Sequence, residues 1–238
     1  MKAFSFCLYN PPNPLYYTGL LENIRLIKTY YPDWCVYVYI GNDVPESFIY
    51  TLIAVDVRVR YTNETGSINM IYRFLAIEEP DVEVMMVRDA DSRIHWKDRW
   101  AINEFIKSPK LAHTIRDQMM HTIPMLGGLW GLKKPANVPI GLCFNHYKTE
   151  QLNIGNAGKD QTFLNTYIWP RVKDTLLAHS SVNYTAGPEE LVTFPFPWSN
   201  DTYCGRIEAP GYNETIQPSQ SRLFTHFINR SKNKLSLK

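Results

Sequence analysis

Val84-Met85-Met86-Val87-Arg88-Asp89-Ala90-Asp91-Ser92-Arg93 is an apolar run of strand character that ends in two carboxylates one residue apart, bracketed by arginines. In an extended chain residues two apart share a side, so Asp89 and Asp91 face one way and Ala90 the other. Two acids aimed at one point repel each other unless positive charge sits between them. Arg88 and Arg93 can supply it as an ion-pair cluster, and a hard divalent cation with oxygen ligands can supply it as a binding site. The unbroken apolar pattern suits a strand in the middle of a sheet covered on both faces.

Upstream of this strand the chain alternates between two periods. Residues 3–9 read as a first strand, closed by Asn10-Pro11-Pro12-Asn13-Pro14, where proline removes ladder donors. Leu20, Ile24, Ile27 and Tyr31 then share a helical face, with Thr18 as N-cap and Pro32 as the stop. Residues 35–40 form a second strand, and Pro45 opens a short helix carrying Phe48, Ile49 and Leu52. Residues 55–60 alternate as a strand with one wet face. Ser67 caps a helix to about residue 77 that buries Ile68, Ile71 and Leu75. The pattern predicts an α/β fold with a central, mostly parallel mixed sheet flanked by helices. In such sheets ligands bind beyond the carboxyl ends of the strands, where Asp89 and Asp91 lie.

Downstream the signals are weaker. Residues 96–107 read as a helix ended by Ser108-Pro109, and residues 111–115 as a short strand. Gly127-Gly128-Leu129-Trp130-Gly131 reads as a glycine-rich turn around a tryptophan. Residues 159–169 return to helix, residues 176–178 and 223–228 read as strands, and a proline- and aromatic-rich wrap begins at Gly187. With no internal repeat or linker, residues 1–238 read as one domain.

Composition narrows the function classes. Hydrophobic content of 45% and charged content of 20% fit a soluble globular protein with a real core. A formal charge of +2 gives no reason to expect nucleic acid as a partner. Cys7, Cys35, Cys143 and Cys204 form no Cys-x-x-Cys pair, which argues against a zinc site or a disulfide framework. No apolar leader opens the sequence and no segment suits a bilayer span, so the cytoplasm (of the host, for a viral protein) is the expected location. Sequons at Asn63, Asn183, Asn200, Asn213 and Asn229 pull the other way and are read as unused.

Arg88-Asp89-Ala90-Asp91-Ser92-Arg93 resembles the DxD motif of glycosyltransferases with the GT-A fold, which is Rossmann-like. The surrounding pattern is similar to a group of such enzymes from bacteria and large DNA viruses. That group has a strand ending matched by Leu8-Tyr9 and a Tyr-x-x-Gly segment matched by Tyr16-Tyr17-Thr18-Gly19. Tyr31-Pro32-Asp33-Trp34, Tyr72-Arg73-Phe74, Arg116-Asp117 with His121, Gly127 to Gly131 and Asp160-Gln161-Thr162-Phe163-Leu164 follow in the group's order. The Asp160 segment also resembles glycogenin-like retaining transferases. The sequence departs from the group at His179-Ser180, where His-Asp is usual, and His226-Phe227-Ile228-Asn229 only partly echoes the glycogenin-like metal histidine.

The resemblance implies a metal-dependent hexosyl- or pentosyltransferase. It would move a sugar from a nucleotide donor, a UDP-sugar first, to a glycan or protein hydroxyl, with a tilt towards retention. The nucleotide half would be about residues 1–93 and the sugar and acceptor half about 94–238. A Mn²⁺ or Mg²⁺ ion held by Asp89, Asp91 and a histidine, His179 ahead of His226, would stabilise the departing diphosphate as a Lewis acid. Donor contacts would come from Leu8, Tyr9, Tyr17, Arg73, Arg88, Asp89, Arg93, Gly128 and Trp130. His121 and Trp130 would meet the acceptor, and Asp160 and Gln161 would act at the anomeric carbon. Each has a plainer reading: a helix cap for Asp160, salt bridges for the arginines, a core turn for Trp130, packing for the tyrosines. Two other functions stay open, sugar nucleotidyl transfer and a non-catalytic glycan-binding or structural module. The first usually needs a glycine-rich, basic phosphate loop after the first strand, where this chain has three prolines.

Overall fold

The protein is described by a computed structural model covering residues 1–150, 159–182, 184–199 and 202–211. Its strands are β1 (Lys2–Leu8), β2 (Cys35–Ile40), β3 (Arg58–Tyr61), β4 (Val84–Arg88), β5 (Ala112–Arg116), β6 (Leu129–Lys133), β7 (Leu176–Ser180) and β8 (Glu190–Thr193). Its helices are α1 (Pro14–Tyr30), α2 (Glu46–Ala54), α3 (Asn69–Tyr72), α4 (Trp96–Lys107), α5 (Ile140–Glu150), α6 (Lys159–Phe163) and α7 (Trp169–Val172). All eight strands join one sheet in the order β3-β2-β1-β4-β6-β5-β7-β8. Only β6 runs against its neighbours among the described residues, so the sheet is mixed and mostly parallel, as expected.

Alternation along the strands divides the core. Phe4, Phe6, Leu8, Val36, Val38, Ile40 and Met86 face a layer that includes Leu20, Ile24 and Ile27 of α1, Leu52 of α2 and Phe105 of α4. Ala3, Cys7, Tyr37, Tyr39, Met85 and Val87 face the opposite layer, with Phe74, Phe144 and Phe163. Each such side chain contributes roughly 1.5–3 kcal/mol on burial, which is why strands covered on both faces read as continuous apolar runs. A smaller cluster joins Ala101, Ile115 and Leu129 to Phe194, Phe196 and Cys204, and this seats the late wrap on the sheet.

The structure corrects several boundaries. Helix α1 begins at Pro14, not at Thr18: the Asn13 side chain accepts from the Leu15 amide at 3.0 Å, and Pro14 loses nothing at a position whose N–H is unused. Asp56 adopts φ of 60°, which breaks the alternation read for residues 55–60 and delays β3 to Arg58. The helix expected from Ser67 is a tight 3₁₀ turn, the single turn α3, and a second 3₁₀ stretch over Arg73–Glu78. Three residues per turn place Arg73 over Ala76 and Phe74 over Ile77, so these four are buried while Leu75 is only half-buried.

Gly127 and Gly128 form the expected turn, closed by the Leu129 amide donating to the Leu126 carbonyl at 3.0 Å, but Leu129 to Gly131 already belong to strand β6. A Cβ on Gly131 would lie 2.4 Å from the Met86 sulfur, so this glycine lets β6 pack against β4. The helix at residues 159–169 is present but widens into a π turn over Leu164–Ile168, just ahead of Pro170, which has no N–H to continue the ladder. Strand β8 and helix α5 had no clear signal in the sequence. The strand expected at residues 223–228 lies outside the described residues. No helix among the described residues is long and apolar enough to cross a membrane.

Candidate active site

From β1 the chain builds outward through β2 to β3, then crosses back to lay β4 on β1's other side. The direction of travel across the sheet thus reverses at β1, and a crevice lies beyond the carboxyl ends of β1 and β4. A cavity of about 390 Å³ fills it, walled by Leu8, Tyr9 and Tyr16 on one side and by Asp89, Asp91, Arg73 and Asp160 on the other. A second cavity of about 240 Å³ shares Asp89 and Asp160 with it, and adds His121, Gly127, Gly128, Gln161 and Gly205.

Arg73 organises the boundary between the two. It is 4% exposed, and its guanidinium pairs with Asp89 through Nη1 and with Asp160 Oδ2 through Nη2 at 2.8 Å. Burial works against its charge, but Asp89, Cys7 and Asp160 outweigh that and raise its pKa. Asp160 stands in the first turn of α6 and also accepts from the Gln161 amide at 2.9 Å, so helix capping and a place in the site coexist in one side chain. The glycines explain how close the acids approach the backbone. A Cβ on Gly128 would fall 1.8 Å from Asp89 Oδ2, and one on Gly127 2.5 Å from Asp160 Oδ2.

The acidic loop is held by its surroundings rather than by its own carboxylates. Asn23 of α1 donates to the Ser92 carbonyl at 2.7 Å and accepts from the Ile94 amide at 3.1 Å. Gly19 lets α1 press against the loop, since a Cβ there would be 2.3 Å from the Ala90 carbonyl oxygen. The Glu208 amide donates to the Asp91 carbonyl at 2.9 Å. Burial, and then the charge of Asp89, push the Asp91 carboxyl above its usual pKa. Arg73 is also nearby, but it is tied to Asp89 and Asp160.

Several expected site residues lie elsewhere. The alternation that points Asp89 into the crevice sends Arg88 to the other face. There it is 1% exposed and makes a two-pronged pair with Asp98 of α4, at 3.1 and 2.7 Å. Arg88 is thus no donor ligand. Asp98→Ala is expected to cost about 3–5 kcal/mol, because it strands a buried guanidinium. Chemical denaturation would show this as a lowered midpoint.

Arg93 is likewise a clasp rather than a ligand. It pairs with Glu22 at 2.7 Å and donates to the carbonyls of Ala90, Ser92 and Glu208. Tyr17 packs on Phe48 and donates to the Asn10 carbonyl at 2.8 Å, and its neighbour Tyr16 takes its place in the cavity wall. Trp130 is fully buried, edge-on to Phe74 at 5.1 Å, so neither a donor nor an acceptor sugar can stack on it.

His179 is not a third metal ligand. It lies fully buried on β7, 2.9 Å from His113 on β5 and against Trp100 and Phe194. Burial lowers its pKa from 6.5 to about 3, and burial with its partner histidine pushes His113 down too. Between those values the unfolded chain binds more protons, so stability is lost as pH falls below 6.5. For His179 the loss should approach about 2 kcal/mol by roughly pH 5, with His113 acting in the same direction, and thermal melts of a His113→Leu, His179→Leu double variant should lack it.

His226 lies outside the described residues. Among those described, no three His, Cys, Asp or Glu side chains cluster as metal ligands. Asp89 and Asp91 nonetheless fit one hard cation. Two carboxylates, with substrate phosphate oxygens and water completing the shell, are an ordinary set for Mg²⁺ or Mn²⁺. Burial first and Asp89 second disfavour the charged form of Asp91, and positive charge placed beside it would favour that form.

Leu8, Tyr9, Arg73, Asp89, Gly128, His121, Asp160 and Gln161 are brought to the two cavities as the sequence led one to expect. Asn10, Asn13 and Met70, which also line the larger one, carry no signal of their own in the sequence. Asn23 could have been suspected, as a polar residue on the apolar face of α1.

The chain matches no protein-family model, and no curated protein sequence is similar to it. Among solved structures it is similar to a glycosyltransferase involved in the glycosylation of the major capsid of PBCV-1. The TM-score is 0.51 at 15% identity, over 76% of this chain and 83% of that one. S. aureus TarS in complex with UDP gives 0.48 at 12% identity, over 82% of this chain and 61% of that one. The 4-diphosphocytidyl-2C-methyl-D-erythritol synthase of Anaerococcus prevotii gives 0.46 at 11% identity, over 93% and 96%. With the sheet order above, the likeness to the viral enzyme identifies the fold as GT-A.

Proposed function

We propose that this chain is a metal-dependent glycosyltransferase that moves a sugar from a nucleotide-sugar donor, a UDP-sugar, to the hydroxyl of a glycan or protein. The observation that carries the reading is the pair of adjoining cavities at the sheet's switch point, with Asp89 and Asp160 in the wall of both. One cavity is large enough for a nucleoside diphosphate, and in this reading the other takes the transferred sugar and its acceptor. The nucleotide half is then about residues 1–93, and the remainder forms the sugar and acceptor side.

In this reading Asp91 and Asp89 hold Mn²⁺ or Mg²⁺, which supplies Lewis-acid stabilisation of the leaving diphosphate. Tyr9 and Tyr16 wall the nucleotide side. Arg73 fixes Asp89 and Asp160 relative to each other, and so sets the distance between the phosphate end and the sugar end. Asp160 offers its carboxylate to a sugar hydroxyl or to positive charge developing at the anomeric carbon, and Gln161 braces the glycine loop by accepting from the Gly127 amide at 3.1 Å. The resemblance of the Asp160 segment to retaining enzymes makes retention the expected outcome.

A panel of nucleotide sugars, assayed for hydrolysis with and without Mn²⁺, tests the proposal. Metal-dependent release of UDP from one donor supports it. Pyrophosphate release from a nucleoside triphosphate and a sugar phosphate would instead favour nucleotidyl transfer, and turnover of neither would leave a binding module. The loop after β1 counts against nucleotidyl transfer, because Pro11, Pro12 and Pro14 have no N–H to offer a triphosphate.

A further inference from the structure

We infer that the turn over residues 118–121 docks the protein on a phospholipid bilayer of no net charge, with Met119 and Met120 entering its surface layer and Trp198 beside them at headgroup level. Nothing in this contact depends on the transfer reaction.

The residues at the bend are the first observation. The His121 amide donates to the Gln118 carbonyl at 2.8 Å, which puts Met119 and Met120 at the two central positions of the turn. Such positions ordinarily take proline, glycine, asparagine, aspartate or serine, whose backbone preferences or polar side chains suit a bend in water. Here they carry long apolar side chains that are 63% and 79% exposed. Neither residue has a positive φ, so the backbone makes no demand that explains the choice.

The bend is also held on an ordered stem. Asp117, at its base, is fully buried. Its carboxylate pairs with Lys97 of α4 at 2.6 Å and accepts from the Cys204 amide at 2.9 Å. Its own N–H donates to His121 Nδ1 at 3.2 Å, and its carbonyl accepts from Trp198 Nε1 at 3.1 Å. Gln118 Oε1 accepts from the Met120 amide. Trp198 is thereby tied to the stem by its polar atom, while 38% of the residue stays exposed. An amphipathic ring of this kind suits the boundary between headgroups and acyl chains.

Charge and area choose the partner. Residues 118–132 and 191–200 contain no Asp, Glu, Lys or Arg, in a chain of which 20% is charged. Lys97 and Asp117 are buried against each other, and burial lowers the pKa of His121, so the turn is neutral at neutral pH. An anionic membrane or a charged peptide finds no opposite charge on it. Met119, Met120 and Trp198 together expose on the order of 400 Å², about half of what one side of a standard protein interface buries. That is too little for a stable second copy or a folded partner. A bilayer needs no matching surface, and methionine adapts to irregular apolar surroundings. His121 at the end of the turn lines the smaller cavity, so a docked chain holds that cavity beside the membrane.

Sedimentation with phosphatidylcholine vesicles tests the inference. The wild-type chain should co-sediment at low and at high salt, with no need for phosphatidylglycerol. Met119→Ser and Met120→Ser together should weaken partitioning about tenfold or more, because the apolar area that enters the bilayer is lost. The melting temperature should hold, since both side chains lie outside the core. Met119→Leu and Met120→Leu together should bind as the wild type does. A wild type that stays in the supernatant, a serine variant that binds equally well, or binding that appears only with phosphatidylglycerol and vanishes in salt would each overturn the inference. So would analytical ultracentrifugation showing a dimer that the serine variant abolishes, which would assign the turn to a second copy. Each of these failures leaves the transferase proposal standing, because donor hydrolysis is read without vesicles.

Discussion

Asp91→Asn should lower metal-dependent donor turnover by roughly 10²–10³-fold, the scale on which one group that stabilises developing charge contributes. Its fold should be unharmed or strengthened. The Asp91 carboxylate makes no ion pair with Arg73 or Arg93, and the contact that fixes this part of the loop, from the Glu208 amide, goes to the backbone carbonyl that asparagine keeps. Burial and the neighbouring Asp89 raise the pKa of Asp91, which means its charged form is disfavoured in the folded chain. Removing that charge at neutral pH relieves repulsion instead of breaking a bond. Activity falling while the melting temperature holds or rises is the signature of a side chain kept for function. Both quantities can be read on one preparation, by donor hydrolysis and by thermal melting.

Arg73→Met should do the opposite to stability. It leaves Asp160, 8% exposed, without its partner, and releases Asp89 from the same guanidinium. Stranding a buried charge costs about 3–5 kcal/mol, enough to shift a denaturation midpoint clearly. Donor turnover should fall as well, because the two carboxylates lose their common reference. Arg73→Lys tests geometry apart from charge. An ammonium is a point charge and cannot bridge two carboxylates as a planar fork does, so lysine should recover part of the stability and little of the turnover. A lysine variant with full turnover would show that Arg73 supplies charge alone.

These two residues also show what the sequence could and could not disclose. Asp89 and Asp91 were legible because their signal is local: an apolar strand, its end, and a two-residue spacing. The same rule, carried one residue back, would have turned Arg88 away from the site, and the expected donor contact fails for that reason. Arg93, Tyr17 and Trp130 were expected at the site because they stand in or beside recognisable motifs. Those motifs hold the loop and the core rather than the ligand: Gly19 and Arg93 clamp the Ala90 carbonyl, and Tyr16 rather than Tyr17 faces the cavity. His179 was beyond reach from sequence, since only the β5–β7 pairing reveals that it meets His113 in the core.

The fold was clearest where alternation was strict. Strands β1, β2 and β4 and helix α4 fall where expected, whereas β6 was hidden by glycines that serve close packing and β8 lay within a proline-rich segment. Arg73 is the instructive middle case. Its motif pointed to the site, but its meeting with Asp160 spans 87 positions and depends on α6 docking beside the 3₁₀ stretch.

The most direct test of the central claim is calorimetry of UDP binding to the wild-type chain, with and without Mn²⁺. UDP should bind in the presence of Mn²⁺ and much more weakly in its absence, with the metal-dependent gain lost in Asp91→Asn. No binding of UDP under either condition, or the same affinity with and without the metal in both proteins, would contradict a metal-assisted nucleotide-sugar site at Asp89 and Asp91.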